Sequence, residues 1–187
     1  MCALNVVKGM VLSMNKIYII LMDTKTIPSR IVSLFTMYRY SHVAISFDKK
    51  CDVIYSFGRK NLYWIFNGGF VVENKDGNFF RRFKDTRCKI YEIDVSRKQY
   101  DNLIKIVNEM DKNRNMYKYD FFGIILRYLG LNITFRNKYV CSYFIAKLLM
   151  DNSVCKFDKD ICFVKPKDFE NIEGFNLIYS GKYLLYR

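Results

Sequence analysis

The 187-residue sequence predicts a single α+β domain on three observations. Hydrophobic residues make up 51% and charged residues 26%, enough apolar material for a packed core and too much for a disordered chain. Strand-length alternating runs and longer runs of helical period are mixed along the chain without strict β–α alternation. No internal repeat, low-complexity tract or Pro/Gly-rich linker interrupts them, so residues 14–187 read as one unit. Residues 1–13 lack a strand, helix or signal pattern, and Met14-Asn15-Lys16-Ile17 looks like a natural start; the segment before it is expected to be a non-functional extension.

Residues 16–22 form an apolar, β-branched run and are predicted as a buried strand. Thr26-Ile27-Pro28-Ser29 opens a helix whose apolar positions are Ile31, Leu34, Phe35 and Tyr38. Residues 41–47 and 53–57 are two strands joined by a polar turn, and a short strand follows at 70–73 between turns at Gly68-Gly69 and Asp76-Gly77. Residues 89–95 alternate cleanly and predict another strand. Ser96 then caps a long amphipathic helix with Tyr100, Leu103, Ile104, Val107 and Met110 on its apolar stripe. Helices are expected from Asp120 to about Gly130 and over about 139–150, then a helical turn at Pro166-Lys167-Asp168-Phe169. Residues 176–179 and 182–186 suggest a closing hairpin around Ser180-Gly181.

The 31 basic residues outnumber the 18 acidic ones, for a net charge of +13. Such an excess fits a solvated surface or an anion-attracting face. No specific nucleic-acid motif accompanies it, although aromatics interleave with basic residues over 79–84. Six cysteines without any Cys-x-x-Cys pair, and one histidine in all, give no zinc-site spacing. No Walker or dinucleotide motif is present either, so neither metal nor cofactor is expected. No apolar run reaches the ~18–20 residues of a spanning helix, and no signal peptide is recognised, so a cytoplasmic protein is expected.

Chemistry concentrates on two short segments. His42 stands at the start of Ser41-His42-Val43-Ala44-Ile45-Ser46-Phe47, with small Ala44 next on its face of the strand. Cys141 opens Val140-Cys141-Ser142-Tyr143-Phe144-Ile145, in the first turn of a predicted helix. Unpaired amides and the helix dipole there favour a thiolate, so its pKa is expected below the ordinary ~8.5. The same amides can serve an oxyanion, and an imidazole nearby would make the thiol a nucleophile. A satisfied strand-edge histidine and a buried structural cysteine are the bland alternatives.

Tyr40-Ser41-His42-Val43-Ala44-Ile45, Ile54-Tyr55-Ser56-Phe57-Gly58 and Cys141-Ser142-Tyr143-Phe144-Ile145-Ala146 together resemble the circularly permuted papain-like hydrolases, the YiiX-like branch of the NlpC superfamily. In that branch the histidine precedes the cysteine, as here, where 99 positions separate them. Gly68-Gly69-Phe70 is similar to a segment of clostridial-type members. The resemblance, spanning about 16–168, implies an antiparallel, partly barrelled sheet packed on the cysteine helix. It also implies acyl transfer through a thioester, with Cys141 as nucleophile and His42 as general base. The family's ring-orienting residue, often Glu, falls near Ser56, with Tyr55, Asp52 and Glu73 as other candidates; Tyr40 resembles an aromatic that assists the oxyanion. The substrate would be a peptide-like amide or a lipid acyl ester, and Trp64 reads as a loop over the site or as a core plug. A catalytically silent binding module of the same fold and a basic protein binding nucleic acid or a membrane surface are the competing readings. Oligomeric state is not legible in the sequence.

Overall fold

The computed structural model describes residues 14–24, 37–60 and 67–187. The expected extension over 1–13, the helix from Thr26 and the Trp64 segment lie outside them. Among the described residues the architecture is mixed α+β, with four helices and one six-stranded sheet. The strands of that sheet are β1 (Asn15–Asp23), β2 (His42–Ser46), β3 (Val53–Arg59), β4 (Gly68–Asn74), β5 (Arg87–Val95) and β8 (Asn176–Lys182). They lie in the order β4-β3-β2-β1-β5-β8, and every neighbouring pair is antiparallel. A separate two-stranded parallel pair joins β6 (Lys118–Tyr119) to β7 (Lys138–Tyr139).

Strand β1 is central and buried on both faces, which is why its sequence is nearly continuously apolar. Ile17, Ile19 and Leu21 face one core with Val43, Ile45 and Phe57. Helices α2 (Arg97–Lys112) and α4 (Cys141–Asp151) close that side through Leu103, Val107, Phe144 and Ile145. Tyr18, Ile20 and Met22 face a second core with Ala44, Ile54 and Cys88, closed by Phe80 of the short α1 (Asn78–Arg82) and by Tyr183. Helix α2 begins at a full capping box: Ser96 Oγ accepts from the Gln99 amide, and Gln99 Oε1 accepts from the Ser96 amide. Asp120 caps α3 (Phe121–Tyr128) by accepting from the Gly123 amide at 3.0 Å. No helix among the described residues is long and apolar enough to cross a membrane.

Two local expectations are corrected. Gly68-Gly69 is not a turn but the start of β4, because a Cβ on Gly68 would lie 2.6 Å from Tyr119 Cβ; glycine lets the β6 backbone approach. Ser180-Gly181 does not turn a closing hairpin. It continues β8 along β5, where a Cβ on Gly181 would meet the Tyr179 hydroxyl at 2.6 Å. The chain then enters a 3-10 turn that buries Tyr183, whose hydroxyl donates to the Cys51 carbonyl at 2.5 Å.

Candidate active site

The β6–β7 pair delivers the chain to α4: Tyr139 lies beside Tyr119, Val140 is extended (φ −99°, ψ 160°), and Cys141 is the first helical residue. No side chain caps α4, so its first amides are not consumed within the helix end. Ser142, which would ordinarily compete for them, turns its hydroxyl outward and donates to the Val164 carbonyl at 2.7 Å. The backbone N–H groups of Cys141, Ser142 and Val43 and the hydroxyl of Tyr119 lie where they favour the Cys141 thiolate.

Val43 can reach the sulfur because β2 and β3 are loosely joined. Their regular pairing is confined to Ile45↔Tyr55. On one side of that point Ser46 Oγ donates to the Val53 carbonyl at 2.7 Å; on the other, Ser56 Oγ donates to the Val43 carbonyl at 2.6 Å. An antiparallel residue directs its N–H and C=O toward the same neighbour. With the Val43 carbonyl held by Ser56, its N–H points into the same seam, where the thiol lies.

His42 precedes Val43 in the chain, so the structure brings the two predicted segments together at the start of β2. His42 pairs with Met22 of β1, and its Cε1 lies 3.8 Å from where a Gly58 Cβ would stand. Ser56 is buried and, by strand alternation, shares the sheet face of His42. Its single hydroxyl proton is committed to Val43, so toward an imidazole N–H it can act only as an acceptor. Tyr40 is buried beside Tyr38, with Lys89 Nζ 5.5 Å from its ring centroid. Tyr55 packs edge-on to Phe47 on the helix-facing side, Asp52 is an exposed partner of Lys75, and Glu73 lies on β4 opposite Ile54.

The electrostatics reverse one expectation. The Cys141 pKa is raised, not lowered: burial of the thiol outweighs the amides and the Tyr119 hydroxyl that favour the thiolate. Burial likewise pushes the His42 imidazole down to about 4. At neutral pH the pair therefore rests as thiol and neutral imidazole. Neither shift contains a contribution from the other group: by strand alternation His42 shares its sheet face with Ala44 and Ser56 on the second core, whereas Cys141 belongs to the first.

A cavity of about 140 Å³ opens beside the sulfur, lined among others by Ser41, Tyr119, Ile124, Arg127, Cys141 and Val164. A second, of about 360 Å³, shares Arg127, Phe163, Lys165 and Pro166 with it and adds Lys159 and Lys167. Tyr119 and Arg127 are site residues that the sequence alone does not single out. Tyr119 has no local signal, since only the parallel bridge to Tyr139 places it at the thiol. Arg127 has a faint one: it lies seven residues, two helical turns, after Asp120 and pairs with it at 2.9 Å. Among the described residues no group of three His, Cys, Asp or Glu side chains is placed to hold a metal ion.

No protein-family model matches the chain, and no curated protein is significantly similar to it.

Proposed function

We propose that this chain is a thiol-dependent acyl hydrolase or acyltransferase of the circularly permuted papain-like kind, with Cys141 as nucleophile and His42 as general base. The observation that carries the reading is the setting of one sulfur. Cys141 opens a helix with unspent amides, and the backbone N–H of Val43, the residue directly after the only histidine, lies where it favours the thiolate. In the proposed reaction His42 takes the thiol proton while sulfur bonds to the acyl carbon, and the carbonyl electrons move onto oxygen. The Cys141 and Ser142 amides and the Tyr119 hydroxyl receive that oxyanion. Its collapse expels the alcohol or amine, which recovers the proton from His42, and leaves a thioester. Water, or a second alcohol or amine, then attacks the thioester, losing a proton to His42 and returning it to the leaving sulfur.

The aliphatic and aromatic side chains on and after α3 (Phe122, Ile125, Leu129 and Leu131) are exposed, and Ile124 of the same helix lines the small cavity. That surface favours an apolar acyl chain over a polar peptide. Ser56 supports a second reading, a catalytically silent module, because it offers the imidazole no negative charge. Hydrolysis of p-nitrophenyl butyrate separates the two. Turnover by the native chain that falls to background in Cys141→Ala supports the enzyme; equal rates from both proteins support the module.

A further inference from the structure

We infer that Arg127 forms an anion subsite beside Cys141, so that the acyl substrate carries a carboxylate or phosphate group near its scissile bond. This inference rests on the acyl-transfer reading for the word substrate, though the subsite itself can be tested without it. The Arg127 side chain is only 8% exposed and lines both cavities. One nitrogen, Nη2, donates to Asp120 Oδ2 at 2.9 Å, and the other Asp120 oxygen is occupied by the Gly123 amide. Nε and Nη1 are buried without a hydrogen-bond partner among the described residues. A guanidinium stays charged and presents its N–H groups in a planar fork matched to carboxylates and phosphates. Leaving such donors dry is costly, because each gives up its hydrogen bonds to water without a replacement.

The side chain is also held for the purpose. The Tyr143 ring lies under the guanidinium, 5.5 Å from Cζ to the centroid, which fixes its plane and leaves the edge for hydrogen bonding. Lys159, Lys165 and Lys167 surround the larger cavity; its one carboxylate, Asp168, is already bound by Lys159 Nζ at 2.8 Å and by the Lys165 amide at 2.7 Å. The field at Arg127 therefore favours an anion. Because Arg127 and Cys141 line one cavity, an oxyacid on the guanidinium places the carbonyl a few bonds away at the sulfur.

Calorimetry on full-length Cys141→Ala, which cannot turn over, tests the subsite with inorganic phosphate and with glutarate as probes. The expected result is saturable millimolar binding of at least one probe, weakened at least about tenfold by Arg127→Gln, as for loss of a charge-assisted contact. Tighter glutarate assigns the subsite to a carboxylate, and tighter phosphate to a phosphate ester. Arg127→Gln leaves Asp120 buried and unpaired, so the double variant Asp120→Asn/Arg127→Gln, which keeps the cap and a neutral pair, must lose binding equally. Saturable binding of neither probe, or binding that survives both substitutions, overturns the inference. A second arm compares kcat/KM for mono-p-nitrophenyl glutarate and p-nitrophenyl butyrate. The native chain should prefer the anionic ester, and Arg127→Gln should cut that preference about tenfold. No turnover of either ester would count against Cys141 chemistry, while the calorimetric titrations would still decide whether Arg127 binds an anion.

Discussion

Strand β1 and the β2–β3 seam lie in one sheet yet are built differently. β1 pairs with β5 continuously from Asn15↔Val95 to Asp23↔Arg87, and with β2 from Tyr18↔Ser46 to Met22↔His42. Its apolar side chains are buried in both cores, so packing is its main role. Across β2–β3 the regular register is reduced to Ile45↔Tyr55, and serine hydroxyls replace ladder contacts on either side. The comparison teaches where chemistry fits in a packed sheet. A backbone N–H already spent in a ladder cannot be given to a sulfur. The seam leaves the Val43 amide where it favours the Cys141 thiolate.

Substitutions can pull these regions apart. The largest effect on rate is expected at the seam: His42→Ala should lower acyl transfer by about 10²–10⁴-fold, the usual range for a lost general base. The native rate should climb as pH rises past about 4, where the imidazole becomes neutral, and then hold level through neutrality. The same group sets a stability slope. His42 titrates at about 4 when folded against an ordinary 6.5, so between these values the unfolded chain binds the proton first. Stability should therefore fall as pH drops from 6.5 to 4, by up to about 3 kcal/mol from this group. Glu73 acts in the opposite sense, since burial raises its carboxyl to about 7 and destabilises the fold as pH rises from 4.5. Urea titrations of the native chain and His42→Ala across roughly pH 4–7 isolate the histidine contribution by difference.

In β1 the pattern should invert. Ile19 is fully buried, so Ile19→Ala is expected to cost about 2–5 kcal/mol of stability and to leave the rate per folded molecule unchanged. Tyr119→Phe keeps the ring and removes one of several donors at the sulfur; kcat should drop about tenfold with KM little changed, a modest share of what a single oxyanion donor contributes elsewhere. Among the substitutions at the candidate site, the smallest effect on rate belongs to Ser56→Ala. It leaves the Val43 carbonyl unpaired, which should cost about 1–3 kcal/mol in chemical denaturation. The accompanying loss of rate should be smaller than for His42→Ala. If Ser56→Ala instead matched His42→Ala in rate, the hydroxyl would be orienting the ring and not merely stitching the seam.

Much of the sheet was legible because residues 16–22 form a strand-length apolar run and alternation survives in 41–47, 53–57 and 89–95, all of which fall on strands. Glycine misled twice. Gly68-Gly69 and Ser180-Gly181 carry turn composition, but their glycines make room for Tyr119 and Tyr179, partners that no local pattern announces. The two-residue strands β6 and β7 are too short to show any period, and with them went Tyr119, the tyrosine at the thiol. At the candidate site, the strand start at His42 and the helix start at Cys141 were legible because both have local signatures. The direction of the Cys141 shift was not. The amides at a helix N-terminus can be inferred from sequence, but the burial that outweighs them is set by Tyr119, Val43 and the loop around Val164, all remote in the chain.

The most direct test of the central claim is to trap the acyl-enzyme. The native chain mixed with excess p-nitrophenyl acetate near neutral pH and quenched in acid should yield one acetyl group, located by peptide mass spectrometry on Cys141. Cys51, Cys88, Cys155 and Cys162 should remain unmodified, and the adduct should fall to a trace in His42→Ala. Acetylation spread over the other cysteines, or an adduct on Cys141 that forms as fast without His42 as with it, would contradict a nucleophile activated at the β2–β3 seam.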